Sequence, residues 1–279
     1  MAEMSIRNHK LNAELYEALL SGDADKVKEL CARAPEQGLH ILTIHDDTVL
    51  HVATYSKQAQ LVLDLLDDLP PQHLDKMTRQ NHQGNTILHE AVISKSQIDV
   101  VKKVLDKAPG LLCMRNHLGE TALFRAVRHG KDKVFKFLAG KISGYNLANQ
   151  QLFLRRSDKS TILHVAIVNE HFDLALLVAK MFPRLVGERD ADGMTDLQLL
   201  SCNATAFEPK DKGKFFQQII NFGSFIAQYL IWSCYCCTIC VPDMCILVSG
   251  HHAILHAVTV RNGNTKKVCK YENTEMKRR

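Results

Sequence analysis

The chain has 279 residues, 46% apolar and 23% charged, an ordinary balance for a folded soluble protein. Its net charge of +5 resides in the last nineteen residues, where seven Lys or Arg (Arg261, Lys266, Lys267, Lys270, Lys277, Arg278, Arg279) face only Glu272 and Glu275. The remainder is neutral, which argues against nucleic acid as a partner, since that needs many clustered phosphate contacts. The stretch Met1-Ala2-Glu3-Met4-Ser5-Ile6-Arg7 has no apolar run of signal-peptide type, so the nine cysteines are read as thiols in an intracellular, cytoplasmic setting.

Residues 11–34 read as an opening helix pair without a hairpin: Leu11, Leu15, Ala18 and Leu19 at helical spacing, a break at Ser21-Gly22-Asp23, then Val27, Leu30 and Cys31. A Thr-x-Leu-His-x-Ala unit then recurs. It reads Thr48-Val49-Leu50-His51-Val52-Ala53, Thr86-Ile87-Leu88-His89-Glu90-Ala91, Thr121-Ala122-Leu123-Phe124-Arg125-Ala126, Thr161-Ile162-Leu163-His164-Val165-Ala166 and, in worn form, Thr195-Asp196-Leu197-Gln198-Leu199-Leu200. The threonines are 38, 35, 40 and 34 residues apart, which places repeats at 46–80, 81–115, 116–155 and 156–189 with a partial one at 190–203.

The residue types suit that spacing. Thr is a helix N-cap, His three positions on can reach back to the cap as Glu does in a capping box, Leu faces the core, and Ala admits a neighbouring helix. Asn81-His82-Gln83-Gly84, Asn116-His117-Leu118-Gly119 and Asp190-Ala191-Asp192-Gly193 supply turns opened by Asn or Asp and closed by a glycine tolerant of positive φ. Phe124 and Gln198 replace the histidine, and Asp46 and Lys159 stand where the glycine is expected. Second helices follow at Leu61-Leu66, Val100-Leu105, Val134-Leu138 and Leu174-Val178, each stopped within a few residues by Pro70-Pro71, by Pro109-Gly110, or by Pro183, except that a long loop is expected over residues 139–157.

This period and hexapeptide resemble the ankyrin repeat. The resemblance implies an all-α ankyrin-repeat solenoid over residues 1–200, built of helix pairs with short hairpin turns, and a helical C-terminal extension. It also implies that partners meet the turn tips and the exposed concave face of the first helices. The protein-binding candidates on that basis are His82, Gln83, Asn85, Ile93 and Ser94; His117, Leu118, Glu120, Arg128 and His129; and Ala191, Asp192 and Met194. No glycine-rich phosphate loop, Gly-x-Ser-x-Gly or His-Glu-x-x-His is present, and the repeat histidines are accounted for by their caps. The reading is therefore a non-catalytic protein-binding scaffold, with no catalytic residue, no cofactor and no metal.

Residues 204–245 form an apolar, Cys-rich segment. Phe215 to Pro242 carries no charge, yet Gln217, Asn221, Ser224 and Gln228 make one polar stripe opposite Phe216, Ile219, Ile220, Ile226, Tyr229 and Leu230. That pattern fits an amphipathic helix packed on the repeats, lying on a membrane or spanning it. Cys234, Cys236, Cys237, Cys240 and Cys245 read as small hydrophobes; zinc binding through Cys237 and Cys240 and S-acylation are the alternatives. Residues 246–279 hold a degenerate partial repeat around His252-Ala253-Ile254-Leu255-His256-Ala257 and the basic tail. Pro109 to Leu123, its parallel from Phe182-Pro183 to Thr195, and Tyr229-Leu230-Ile231-Trp232-Ser233-Cys234 with Pro242-Asp243 are similar to the plant accelerated-cell-death-like ankyrin proteins of the PGG-domain group, without a Pro-Gly-Gly sequence here. That likeness implies stress or defence signalling at membranes, and makes a membrane-peripheral regulator at the cytoplasmic face of the plasma membrane, held through residues 215–245, the alternative function.

Overall fold

The computed structural model describes residues 2–93 and 98–202. The chain divides into two compact units, Met1–Arg156 and Ser157–Arg279, and the boundary falls inside the span that the sequence reads as one array. Among the described residues the secondary structure is helical, with isolated bridges Ile41 to Thr48 and Arg189 to Thr195 and no strand.

The first unit stacks four helix pairs: α1 (Ala2–Ser21) with α2 (Ala24–Arg33), α3 (Val49–Tyr55) with α4 (Ala59–Asp67), α5 (Ile87–Ala91) with α6 (Ile98–Lys107), and α7 (Ala122–Arg128) with α8 (Asp132–Ile142). The inner helices α1, α3, α5 and α7 pack side by side in one layer, and α4, α6 and α8 form part of the outer layer. Burial follows the repeat. Leu50, Leu88 and Leu123 are fully enclosed, and Ala53, Ala91 and Ala126 leave no side-chain bulk where helices approach closely. The expected helix pair at 11–34 is present, although α1 begins earlier, at Ala2.

Each described turn within a pair of the first unit passes through a left-handed residue. Gly22 and Gly130 supply it at no steric cost, whereas Lys57 takes φ 64° as a non-glycine residue. The next amide then folds back onto the repeat alanine carbonyl: Asp23 to Ala18, Gln58 to Ala53 and Lys131 to Ala126. That one bond closes these three pairs in the same register. The prolines behave as expected at the helix ends and do more besides, because Pro71–Thr78 and Pro109–Cys113 are short 3-10 helices that bury Met77, Leu111 and Leu112 under the pairs.

The loop expected over residues 139–157 is a correction. A further helix, α9 (Leu147–Leu154), forms there, with the Asn146 side chain accepting from the Asn149 amide as N-cap and Phe153 and Leu154 buried. The extra length looked like loop because α9 has only two core residues and no helical apolar stripe.

The second unit holds α10 (Ile162–Val168), α11 (Phe172–Met181) and α12 (Asp196–Cys202), with α10 packed against both others. Glu170 takes the left-handed position at φ 60°, and His171 donates to the Ala166 carbonyl, which reproduces the register of the first unit. Ser94, residues 204–245 and residues 246–279, with their cysteines, degenerate repeat and basic tail, lie outside the described residues.

Candidate protein-binding face

The hairpin tips are built from backbone upward. In three tips an Asx side chain accepts two amides: Asn81 from Gln83 and Asn85, Asn116 from Leu118 and Glu120, Asp190 from Asp192 and Met194. Gly84, Gly119 and Gly193 follow at φ 75°, 73° and 76°. Where the sequence lacks glycine the same conformation is forced on Asp46 (φ 61°) and Lys159 (φ 63°), so the turn is dictated by the repeat and not by the residue. In the first of these Thr43 stands in for Asn, its hydroxyl accepting from the His45 and Asp47 amides.

Successive tips are stitched together. His82 donates its amide to the His45 carbonyl at 2.7 Å, His117 to Gln83 at 3.1 Å, and in the second unit Ala191 to Asp158 at 3.0 Å. A second rung runs through side chains: Asn81 Nδ2 to Asp47 Oδ1 at 2.9 Å, Asn116 Nδ2 to Asn85 Oδ1 at 3.0 Å, Arg156 Nη1 to Glu120 Oε1 at 3.1 Å.

The histidines form the third rung. Nδ1 of His51 faces the Thr48 amide at 3.3 Å and its hydroxyl at 2.8 Å, which leaves the proton on Nε2, and Nε2 donates to the Asn85 carbonyl of the next tip at 3.2 Å. His89 repeats the pattern with Thr86 and the Glu120 carbonyl at 3.0 Å, and His164 with Thr161 and the Met194 carbonyl at 3.2 Å. Burial holds His51 and His89 neutral, down at about 4 from the usual 6.5. The capping role read from the sequence is therefore present, and each histidine also ties one repeat to the next. Gln198 performs the cap in the last repeat, its Oε1 accepting from the Thr195 amide at 2.9 Å, whereas Phe124 cannot, and the buried Thr121 hydroxyl has no hydrogen-bond partner.

These rungs revise the binding candidates. Asn85 and Glu120 are corrections: Asn85 is fully buried, Glu120 is 1% exposed, and both are consumed inside the tip ladder. Arg128 is half-buried, and its guanidinium pairs with the Glu120 carboxylate alongside Arg156. His82, Gln83, His117, Leu118, Ala191 and Asp192 are exposed at the tips, while Ile93, His129 and Met194 are half-buried. Leu118 is 53% exposed, as a tip leucine with no core to enter. Ile44, missed in the sequence, stands 94% exposed on the first tip; it escaped because its turn lacks the Asn and Gly that mark the others.

The inner helices add a feature that the hexapeptide alone conceals. Two residues beyond the repeat alanine, the side chain leaves the core on every inner helix. In the first unit these positions are Leu20, Tyr55, Ile93 and Arg128. Leu20 is 66% and Tyr55 41% exposed, with Tyr16 one helical turn before Leu20 also exposed. Ile93 and Arg128 were among the sequence candidates; Leu20 was not, because the opening repeat has no Thr-x-Leu-His to count from, and Tyr55 was not, although its repeat carries the unit. Below the row sits a polar layer in which Arg125 bridges the His89 carbonyl at 3.0 Å and the Glu90 carboxylate at 3.2 Å. Burial pushes the Glu90 carboxyl up against the opposing pull of that guanidinium.

Residues 50–151 match the family description Ankyrin repeats, in three copies. The repeats of that span are ankyrin repeats. Over 145 residues the chain is 30% identical to the nuclear factor NF-kappa-B p105 subunit of Rattus norvegicus, a stretch that is 50% of this chain and 14% of that protein. Ankyrin repeats are a protein-interaction module, and among the described residues no group of three or more His, Cys, Asp or Glu is arranged to hold a metal ion. No described helix is long and apolar enough to cross a membrane.

Proposed function

We propose that this protein is a non-catalytic scaffold that binds a protein partner across the inner-helix face of its first unit. The observation that carries this reading is the row Leu20, Tyr55 and Ile93, apolar side chains at equivalent positions of consecutive repeats that leave the core instead of entering it. A single exposed leucine is common, but apolar groups repeated at one position of a stacked array form a patch with a cost in water. The test is affinity capture from the native source with the intact chain and with Leu20→Asp, whose side chain supports no core. Partner recovery falls at least about tenfold, with circular dichroism unchanged, if an aromatic and aliphatic patch anchors the complex. Undiminished capture by the folded variant would overturn the reading.

An intracellular, cytoplasmic location, a setting in plant stress or defence signalling, and attachment to a membrane through residues 215–245 and the basic tail are separate proposals that rest on sequence pattern and resemblance. Flotation with liposomes, comparing the full chain with one lacking residues 215–279, tests the membrane attachment.

A further inference from the structure

We infer that the partner element seated on this face is an amphipathic α-helix with apolar side chains one heptad apart and a carboxylate a heptad beyond them. The inference rests on the reading of the inner-helix row as the binding surface and names the chemistry of what occupies it.

The row is Leu20, Tyr55, Ile93 and then Arg128, at the same position of four successive repeats, on α1, α3 and α7 and two residues past the end of α5. Packed helices lie about 8–10 Å apart, so the row presents one station about every 10 Å. Seven residues of α-helix advance about 10.5 Å, so a partner helix meets the stations with one side chain per heptad, at i, i+7 and i+14. An extended segment reaches the same spacing with every third residue, at about 3.3 Å each. The two differ in what happens to the partner's backbone. No strand edge exists on this face among the described residues, since the one bridge described in the first unit, Ile41 to Thr48, lies at a tip. An extended chain pressed onto Leu20, Tyr55 and Ile93 strips water from amides and carbonyls that find no partner there, whereas a helix satisfies its own.

The fourth station sets polarity. There the apolar side chain gives way to the Arg128 guanidinium, already bound to the buried Glu120 and flanked by Arg125 on the same helix. A guanidinium has five donors in a planar fork and serves more than one acceptor. A carboxylate at i+21 of the partner helix is the complement of that station, and a lysine there is repelled.

The probe is a synthetic alanine-rich helical peptide with Leu at i, i+7 and i+14 and Glu at i+21, titrated against the full chain by fluorescence anisotropy. The comparison peptides are one with Glu→Lys at i+21 and one with the leucines at every third position and prolines between them, which cannot form a helix. Saturable binding of the helical peptide is expected, weakened at least about tenfold by Leu20→Asp and about tenfold by the Glu→Lys change. Arg128→Gln, which leaves Arg156 on Glu120, is expected to abolish the preference between the Glu and Lys peptides. Because that preference is also read on the unaltered chain, misfolding of the variant does not remove the test. Equal or tighter binding of the non-helical peptide, or no binding of the helical one, overturns the helix while the native-partner experiment still judges the face. Helix binding that Leu20→Asp leaves unchanged overturns the face itself.

Discussion

At the scale of single residues, the repeat histidine has two roles that a helix cap alone does not require. His89 accepts from Thr86 on one side and donates to the Glu120 carbonyl of the next tip on the other. Losing it removes a cap, at about 1 kcal/mol, and leaves a buried carbonyl unpaired, at about 1–3 kcal/mol. His89→Ala is therefore expected to destabilise its repeat by about 2–4 kcal/mol, and His89→Gln by less, because Gln198 shows that glutamine makes the cap. Native-state hydrogen exchange of the α5 amides measures both; equal costs for the two variants would count against the capping contribution. Lys159 offers the opposite case. It is exposed and held at φ 63°, where a Cβ costs about 1–2 kcal/mol and glycine's extra chain entropy about 0.5–1. Lys159→Gly is expected to stabilise the second unit by about 0.5 kcal/mol, seen as slower exchange in α10.

At the scale of the hairpin element, Gly84 and Gly193 have nearly the same φ and different surroundings. A Cβ on Gly84 meets the backbone nitrogen and Cδ2 of His117 at 2.6 Å, while one on Gly193 meets nothing within 4 Å. The first glycine is needed for conformation and for the close approach of the next tip; the second is needed for conformation only. Gly193→Ala is expected to cost about 1 kcal/mol and Gly84→Ala at least about twice that. The rung from His117 to the Gln83 carbonyl should break in the second case, so the His117 amide should exchange as fast as an open tip. Equal costs would mean that the tips are not held against one another.

At the scale of the whole molecule, the neutral histidines make stability depend on pH. His51 and His89 have folded values of about 4 against 6.5 when unfolded, so between those limits the unfolded chain binds protons that the folded one cannot. The stability they allow is complete above about pH 6.5 and is lost progressively as pH falls toward about 4. At about 1.4 kcal/mol per unit for each group, the pair gives a slope near 3 kcal/mol per pH unit within the window. Below 4.5 a further loss begins, as protonation of Glu36, held down at about 2 by Arg79 and Lys76, breaks its ion pairs. Urea unfolding of the first unit across pH 7 to 4 measures the first step. Replacing both histidines by Gln should flatten it, and a slope that survives would assign the dependence to other groups.

The Thr-x-Leu-His-x-Ala unit was enough to locate the inner helices, their caps, the buried leucines and the turn glycines, because each of these depends on residues within about five positions of one another, and local geometry is the same in every copy. The exceptions were legible as exceptions: Phe124 and Gln198 at the cap, Asp46 and Lys159 at the turn. What sequence could not decide was which polar tip residues face water. Asn85 and Glu120 read as tip side chains, yet each is covered by the repeat that follows, through Asn116 in one case and Arg156 in the other. The same holds for α9, whose two buried residues find their core only in tertiary packing, and for Leu20 and Tyr55, whose exposure follows from the stacking of four inner helices. Burial is a property of neighbours that lie about one repeat away in the chain, and a sequence pattern records what a residue can do locally, not which side chain is brought to cover it.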